Sequence, residues 1–414
     1  MRRILFPVLV GLVSMAVGYH IVILWKGTRL SQVHLSKENL VRAIRLNPSN
    51  PDPSYRLALF HQLDFSNVDL EKSLAYLKKA IERNPLEQQY YLNLARVFLR
   101  MGKRDLSEGA LEKAVRVFPT GYQGRWISGN LLLQQGDVEK ALPHFSYILS
   151  YYPNQSSLVF DVLLRTTQDT DFLLEKVVPK DPSSLRHYLA YLYEIGDKES
   201  AKKAWEKRSL YGLKSNRQET LRHIEFLIRH GDVHEAFRVW ESRLLEEGIP
   251  IPSDGNLVTN AGFEKEEILG GSFDWKITKV RGAEVSFDST AIEGKRSLKI
   301  VFDGKENIDF YHVSQYVVLK PDRDYVLRVR MKTKAVTTKS GPKIEIVGVG
   351  SSFRGSSEPL NGDNDWREVA VSFRTAPNSQ GGLLRLRREK TDKFDRFISG
   401  TVWLDDVQLR EKSR

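Results

Sequence analysis

The sequence predicts a multidomain protein with an N-terminal transmembrane helix, an α-helical superhelix of about six helix pairs and a C-terminal all-β jelly-roll sandwich. Three observations support this fold class. Residues 4–25 form an apolar run with few polar interruptions. Pro85, Pro119 and Pro153 recur at intervals of 34 residues in a helical region. After residue 255 the apolar pattern changes from helical to alternating. These patterns are typical of a membrane span, a two-helix repeat and short antiparallel strands.

The composition is that of an ordinary globular protein and narrows the possible partners. The chain has 414 residues, of which 28% are charged and 41% hydrophobic, and this length predicts two or three domains. The net charge of +11 suits nucleic acid, a membrane surface or an acidic polymer. The sequence lacks a lysine- and arginine-rich block of the nucleic-acid-binding kind, so we expect no nucleic-acid partner. The absence of cysteine excludes disulfides and thiolate metal sites.

Residues 1–27 are predicted to be a signal-anchor transmembrane helix. Two arginines precede the apolar run and Lys26 follows it. A cleaved signal peptide is the alternative, because Ala16 and Gly18 fit a small-x-small cleavage site. The apolar run continues beyond them to Trp25, which favours an uncleaved anchor. We expect a single-pass protein of the bacterial inner membrane, with the bulk of the chain periplasmic or extracytoplasmic.

The segment between Pro85 and Pro119 shows the helical repeat most clearly. A first helix with one apolar face ends at Gly102, and a second amphipathic run continues to Pro119. This pattern resembles the tetratricopeptide repeat (TPR) family at Tyr91, Leu94, Ala95, Phe98, Gly102, Ala114 and Pro119. Ser107 stands where that family usually has alanine. The resemblance implies a solenoid that curves into a superhelix with a concave face.

The TPR-like α-solenoid is predicted to occupy residues 36–248. Its period falters between residues 154 and 180, where two shortened helices are expected around 158–165 and 171–177. The pattern then returns in two units whose turn glycines are Gly196 and Gly231. Prolines and a glycine at 249–255 predict a linker that ends the helical region.

Residues 256–411 are predicted to form the sandwich, since short alternating segments are separated there by turn residues. The eight expected strands are 280–287, 297–302, 310–319, 325–332, 343–349, 366–373, 383–388 and 401–409. Several phrases resemble the carbohydrate-binding modules of the CBM4/9 (CenC-like) type: residues 256–264 followed by Trp275, 294–300, 315–321 leading to Tyr325, 366–369 with Phe373, and 403–407. The resemblance implies a galactose-binding or CBM-like jelly roll.

The concave face of the solenoid is the first candidate binding site. Such grooves bind extended peptides or helices through polar and aromatic contacts. On the pattern of the repeat family, the residues expected to line a protein-binding groove are Gln89, Arg96, Arg100, Gln123, Trp126, Asn130, Arg186 and Tyr193. The alternative is that these are ordinary solvated positions, with Trp126 partly buried between repeats.

The outer surface of the sandwich is the second candidate. Alternation places Tyr325, Leu327, Val329, Met331, Leu384 and Leu386 inside. It places outside a set of arginine and ring-bearing side chains that suits an acidic polysaccharide: His312, Tyr316, Arg328, Arg330, Arg385, Arg387 and Trp403. The alternative is that these arginines only keep the sheets soluble.

Motifs for catalysis are missing from the sequence, so we expect a non-enzymatic protein without a catalytic cofactor. Modules of the CBM type often carry a structural calcium, and the resemblance places its carboxylate ligands at Glu264 and Asp406. Asp405 is an equal alternative to Asp406. The other interpretation is that Glu264 and Asp406 only satisfy turn amides. His230 and His234 are four residues apart, but a glycine interrupts the helix between them, which favours a solvated pair over a metal site.

These features predict a membrane-anchored envelope protein whose solenoid binds a protein partner and whose sandwich binds a glycan. The pair of domains suggests a role in exopolysaccharide or cell-wall polymer assembly. The alternative is a protein–protein scaffold, for example in secretion or pilus assembly, whose sandwich does not bind sugar. A degenerate hydrolase subunit is a third interpretation, but the predicted strand ends carry no pair of carboxylates that fits the catalytic pair of a glycoside hydrolase.

Overall fold

The chain divides into two compact units, Met1–Leu213 and Lys214–Arg414. The computed structural model describes residues 2–33, 36–64, 67–249 and 255–412. The first unit is helical throughout and the second combines a helical hairpin with a β-sandwich. The predicted architecture of an apolar N-terminal helix, helical repeats and an all-β sandwich is confirmed.

The first unit contains twelve α-helices within its described residues. Each repeat is a pair of neighbouring helices, as the 34-residue interval predicts, and a 3₁₀ turn at Pro153–Gln155 precedes the less regular part. The helices are α1 Arg2–Val33, α2 Lys37–Leu46, α3 Asp52–Leu63, α4 Leu70–Arg83, α5 Gln88–Arg100, α6 Arg104–Val117, α7 Tyr122–Gln134, α8 Val138–Tyr151, α9 Ser156–Thr167, α10 Thr170–Lys176, α11 Pro182–Ile195 and α12 Lys198–Leu210.

Helix α1 is long and apolar enough to be a membrane span or a signal anchor. Its segment Leu9–Gln32 has 24 residues, about 36 Å of helix at 1.5 Å per residue, and its apolar side chains are exposed. The helix continues past the predicted end at residue 27 because its last turns pack on α2. A Cβ added at Gly27 would lie 3.0 Å from Asn47 Cβ, and Ser31 is fully buried.

The repeats pack through small residues and close their turns with glycine. Ala95 and Ala114 are fully buried where α5 meets α6, so the two helices approach closely. Gly102 and Gly136 end α5 and α7 with φ of 74° and 84°, a conformation that glycine adopts without a steric penalty. The amide after Gly102 then donates to Phe98 O (2.9 Å), which satisfies a helix-end carbonyl.

Helices α7 and α8 are in contact at a glycine. Gly129 is buried, and a Cβ added there would lie 2.8 Å from Cζ of Phe145, whose ring is fully buried. Trp126 packs edge-on against the same ring at 6.0 Å between centroids. The faltering period near residues 154–180 is realised as the shortened helices α9 and α10, close to the predicted ranges.

We expect His144 of α8 to make the stability of the solenoid depend on pH. Its Nδ1 is buried without a hydrogen-bond partner, and burial lowers the pKa of the ring to about 4, with Arg125 adding to the shift. An unfolded chain with a pKa near 6.5 binds the proton more readily, so stability falls as the pH drops from about 6.5 towards 4. We expect a loss of about 2 kcal/mol in unfolding free energy between pH 7 and pH 5.

Denaturant unfolding of the full chain at pH 7 and pH 5, compared with a His144→Leu variant, tests this expectation. Comparing the native chain and the variant at pH 7 measures the effect of the substitution on packing. The change in unfolding free energy between pH 7 and pH 5, compared between the two proteins, measures the effect of protonating His144. An equal pH dependence in both proteins would remove His144 as its source.

The second unit begins with two helices, α13 Arg217–Arg229 and α14 Val233–Glu246. Ten strands follow: β1 Lys276–Ile277, β2 Ala283–Asp288, β3 Ser297–Asp303, β4 Phe310–Val318, β5 Asp324–Val336, β6 Lys343–Gly348, β7 Arg354–Ser356, β8 Gly362–Arg374, β9 Gly381–Arg388 and β10 Ser399–Glu411. They form two five-stranded antiparallel sheets, sheet I in the order β1-β4-β9-β6-β7 and sheet II in the order β2-β3-β10-β5-β8.

All eight predicted strands are present, and the side chains predicted to point inward are buried between the sheets. The sequence missed β1 and β7. They are two and three residues long, too short for an alternating pattern to stand out.

A short opening segment closes the sandwich by joining the first and last parts of the domain. Asn256 Nδ2 donates to Val407 O (3.0 Å), and Asn256 Oδ1 accepts from the Leu409 amide (2.9 Å). The buried Gln315 forms a two-sided pair with the backbone of Thr259, at 2.8 and 2.9 Å. The amide side chains of Asn256 and Gln315 therefore hold the opening segment to the sandwich, where strand pairing would otherwise do so.

The helical hairpin α13–α14 packs within the second unit. Trp240 is buried against Phe273, at 6.0 Å between ring centroids, and Arg217 Nε donates to Leu269 O (2.6 Å). The boundary between the compact units therefore falls inside the range predicted for the solenoid. Of the predicted linker 249–255, residues 250–254 lie outside the described residues.

Candidate binding surfaces

Polar side chains of α5 meet the hydroxyl of Tyr55 from α3. Asn93 Nδ2 donates to the Tyr55 hydroxyl at 2.6 Å, Gln89 also hydrogen-bonds this hydroxyl, and Arg96 Nη1 donates to Asn93 Oδ1 at 3.1 Å. Burial raises the pKa of Tyr55, while the charge of Arg96 opposes the rise. Two predicted groove residues, Gln89 and Arg96, are therefore held in place by a network.

The other predicted groove residue of α5 extends this link to the neighbouring repeat. Arg100 is exposed, and its Nη1 donates to the backbone oxygen of Gln62 at 3.1 Å. The sequence analysis did not identify Tyr55 or Asn93 as part of this surface. Asn93 lies three residues before Arg96 and was detectable by helical spacing, whereas Tyr55 needed the packing of α3 on α5.

Helix α7 carries the equivalent residues of the next repeat. Gln123 is exposed, and Trp126 is half-buried and stacked at 6.1 Å on Tyr122. Asn130 Nδ2 donates to Trp126 O (2.8 Å) within the same helix. Gln123 and Asn130 lie 34 residues after Gln89 and Arg96, at equivalent positions of the next repeat. Helices α5 and α7 are neighbours, and so form one surface.

The last two predicted groove residues lie further along the stack. Arg186 is exposed and Tyr193 half-buried, both on α11. Helix α11 belongs to a later helix pair, so these residues extend the surface along the stack and do not add to the cluster around Tyr55.

The seven sandwich residues predicted to bind glycan divide between two faces. His312 and Tyr316 of β4 and Arg385 and Arg387 of β9 belong to sheet I, whereas Arg328 and Arg330 of β5 and Trp403 of β10 belong to sheet II. The two sheets form opposite sides of the sandwich. The residues therefore cannot form one continuous site.

The outer surface of sheet I around His312, Arg385 and Arg387, called here the β4–β9 face, carries a fixed set of charges. Arg385 Nε donates to Glu345 Oε2 at 2.6 Å, and Arg354 forms an ion pair with the other oxygen of Glu345. Glu345 is fully buried although it points away from the core. Its position follows from the register, which places Glu345 beside Arg385.

The same network extends to both sides of this buried carboxylate. Arg387 Nη1 donates to Asp309 Oδ1 at 2.5 Å, and Lys343 and Arg354 both bind Glu389, at 3.2 and 3.0 Å. Lys343 and Arg354 hold the pKa of Glu389 below its usual value. Four cations and three carboxylates thus take part, which leaves this network with a net positive charge.

A ring that the sequence analysis missed lies at the edge of this network. Tyr311 is 49% exposed, stacks on His312 at 4.7 Å between centroids and lies 5.9 Å from the guanidinium of Arg387. A β-bulge between Phe310 and Val313 breaks the two-residue alternation on which the prediction of outward-facing rings depends.

Tyr316 lies at the covered end of sheet I. It is four residues from His312, about 13 Å along a strand, and burial raises its pKa, with Glu225 adding to the rise. It lines a pocket of about 520 Å³ together with Phe237, Trp240 and Phe273. The helical hairpin therefore shields this ring from the open part of the β4–β9 face.

The outer face of sheet II holds the remaining predicted residues. Arg328 and Arg330 share Glu368, at 3.7 and 3.9 Å, and their side chains are 55% and 37% exposed. Trp403 points outward as alternation predicts but is only 9% exposed, with Lys299 Nζ 5.8 Å from its ring centroid. This face therefore offers arginines, while the ring of Trp403 is almost wholly covered.

The carboxylates expected to bind calcium hold turns together. Glu264 Oε1 accepts from the amides of Lys295 (2.8 Å) and Arg296 (3.1 Å), and Asp406 Oδ1 accepts from Gln408 (2.8 Å). Within the described ranges no group of three or more His, Asp or Glu side chains could hold a metal ion. Calcium at Glu264 and Asp406 stays a prediction that this donor set does not support.

Asp405 is the more enclosed of the two neighbouring aspartates. It is fully buried and accepts hydrogen bonds from the amides of Ile292 (2.9 Å), Glu293 (3.2 Å) and Asp406 (2.8 Å). Burial raises its pKa and these amides oppose the rise. Asp405 thus fixes the turn before β3.

Comparison with protein families classifies both regions of the chain. Residues 92–156 match the tetratricopeptide repeat model, and residues 255–393 match the carbohydrate binding domain model. The chain therefore joins a region similar to tetratricopeptide repeats to a region similar to carbohydrate binding domains. The predicted resemblances are thereby confirmed, and the second match spans every strand except the last.

Three relatives each match less than half of the chain. The tRNA(Glu)-specific nuclease WapA of Bacillus subtilis subsp. natto (strain BEST195) is 22% identical over 167 residues, which are 38% of this chain and 7% of that protein. The MamA crystal structure is 19% identical, with 33% of this chain and 80% of MamA covered and a TM-score of 0.28. A solved CBM4 structure is 14% identical, with 37% and 99% covered and a TM-score of 0.28.

Proposed function

We propose that this protein is a non-enzymatic, membrane-anchored component of a bacterial envelope that binds a glycan on the β4–β9 face. The observation that carries the proposal is the exposed Tyr311 ring beside the ordered network of Arg387, Arg385 and Glu345. Sugars are bound by apolar contact with aromatic rings and by planar hydrogen-bonding side chains. Because these side chains are already held in place, binding loses little side-chain entropy.

The charge of the face favours an acidic polysaccharide. The side chain of Arg354 is 55% exposed and Arg387 lies beside the Tyr311 ring. Guanidinium groups pair with carboxylates through two parallel hydrogen bonds. The excess of cations over carboxylates favours a uronic-acid polymer over a neutral one. Salt should weaken such binding, because exposed charges are screened.

The helical face of α5 and α7 is the proposed site for a protein partner. Gln89 and Arg96 are held around Tyr55, while the exposed Gln123 and the half-buried Trp126 supply polar and aromatic surface. Spaced contacts of this kind suit an extended peptide. Helix α1 would hold both sites at the inner membrane, with the bulk of the chain extracytoplasmic, where exopolysaccharide or cell-wall polymer is assembled.

Binding of a uronic-acid polymer to the full chain in detergent tests the glycan proposal. We expect Tyr311→Ala and Arg387→Ala each to weaken binding about tenfold, since each removes an interaction worth about 1.4 kcal/mol. Arg328→Ala, on the opposite face, and Arg96→Ala, on the solenoid, are the matched controls and should bind as the native chain does.

Failure of the folded native chain to bind any glycan, or an equal loss in the two controls, would contradict the proposal. The second candidate function, a protein–protein scaffold in secretion or pilus assembly, would then be preferred. It is favoured by the covered positions of Trp403 and Tyr316, which leave few rings available to a sugar.

A further inference from the structure

The loop between β9 and β10, residues 389–398 and called here the Phe394 loop, exposes two aromatic rings. Phe394 is 106% exposed and Phe397 45% exposed. Isolated exposed apolar residues are common on protein surfaces. Here, however, the whole side chain of one phenylalanine is exposed to water and a second exposed ring lies three residues away. Such a pair is not explained by the usual scatter of single exposed apolar residues.

The loop is held in a fixed conformation. Arg388 Nη2 donates to Arg396 O at 2.6 Å, Asn307 Nδ2 donates to Thr391 O at 3.0 Å, and Asp395 Oδ2 accepts from the Lys339 amide at 2.7 Å. At its end, Ile398 is buried in the core. The fold therefore presents Phe394 to the solvent on a supported backbone.

The surroundings of the two rings are basic. Lys390, Lys393, Arg396 and the neighbouring Lys339 are all exposed, and the guanidinium of Arg396 stacks 5.0 Å from the Phe397 ring. Asp395 is engaged by the Lys339 amide and the Thr338 hydroxyl. Asp392 is the one carboxylate of residues 390–398 that remains exposed.

We propose that the Phe394 loop docks on an anionic bilayer surface, with Phe394 entering the boundary between headgroups and acyl chains. Apolar rings inserted between basic side chains match such a surface, because the rings leave water while the cations meet anionic headgroups. A sugar site is less suitable, because small-ligand sites are concave and Phe394 protrudes. The inference is independent of glycan binding on the β4–β9 face.

This docking rests on the membrane anchoring proposed above, because a chain held at a membrane by helix α1 would meet lipid at a high effective concentration. The loop would add a second, weaker attachment. Two weak signals commonly combine in stable membrane association.

The absence of cysteine in the chain allows a local test on the full-length protein in lipid vesicles. A single Asp392→Cys is labelled with an environment-sensitive fluorophore, and Ser372→Cys on the exposed outer face of sheet II is the control position. Vesicles of phosphatidylcholine alone are compared with vesicles that contain phosphatidylglycerol. The vesicles are added in excess over protein, so that the loop can contact either the bilayer that holds its own helix α1 or a neighbouring vesicle.

We expect the label at 392 to shift to the blue and to be quenched by lipid-borne quenchers only with phosphatidylglycerol, while the label at 372 does not change. Adding Phe394→Ser should reduce the shift at least fivefold, and Lys393→Glu should reduce it as well. A label that stays in water in both lipids, a response unaffected by Phe394→Ser, or a response to polysaccharide in detergent without vesicles would overturn the proposal.

Discussion

Replacing Arg388 with methionine should lower the unfolding free energy of the sandwich by about 2–4 kcal/mol. Arg388 is fully buried and donates to four neutral oxygens: Ser340 O (3.2 Å), Asn307 Oδ1 (2.9 Å), Ile308 O (2.5 Å) and Arg396 O (2.6 Å). Methionine fills a similar volume but donates to none of them. Leaving a buried acceptor unpaired costs about 1–3 kcal/mol where water cannot enter. The net loss is smaller than the sum over four acceptors, because methionine also removes the desolvation cost of a buried charge.

Hydrogen exchange of the amides in β4 and β9, followed in the full chain across a denaturant series, measures this loss in the sandwich itself. Arg374→Met is the matched control, because Arg374 forms an exposed ion pair with Asp324 at 3.0 Å, and such pairs contribute at most about 1 kcal/mol. A change of less than about 0.5 kcal/mol for Arg388→Met would mean that water replaces the guanidinium.

Replacing Gly129 with valine should destabilise the solenoid by about 3 kcal/mol, at the upper end of the usual range for overpacking. A Cβ at this position would lie 2.8 Å from Cζ of Phe145. The ring is fully buried and also packs on Trp126, so it cannot move aside without disturbing the contact between α7 and α8.

Thermal unfolding followed by helical circular dichroism measures the effect, with Gly109→Ala as the control. Gly109 lies inside α6 with no atom within 4 Å of an added Cβ, so alanine there should stabilise the helix by about 0.5–1 kcal/mol. Opposite signs for the two glycines are the expected result. Destabilisation of similar size at both would point to backbone effects and against a clash at Phe145.

The sequence was most informative where a regular period governs the structure. The interval of 34 residues located the helix pairs, and alternation placed Leu327, Val329 and Leu386 in the core. Arg385 and Arg387 were placed on the outer surface correctly, because β9 is regular along its length. The sequence could not predict which residues share a surface, because alternation does not indicate which of the two sheets a strand joins.

The errors of prediction have local physical causes. The bulge in β4 brought Tyr311 to the surface against the period of two. Trp403 faces outward, yet its indole is covered by neighbouring side chains such as Lys299, and coverage depends on tertiary packing. The helices α13 and α14 have the same repeat pattern as those before them, while the contact of Trp240 with Phe273 depends on a loop that has no periodic signal.

The bonds between Asn256 and the backbone of Val407 and Leu409 also affect the order of folding. They join residues separated by 151 and 153 positions, so the sandwich has non-local contacts of the kind that slow folding. During synthesis the domain cannot close until its last strand has left the ribosome. The helical repeats rely on local contacts and can form earlier, so until then the growing chain would carry folded repeats ahead of an open, aggregation-prone set of strands.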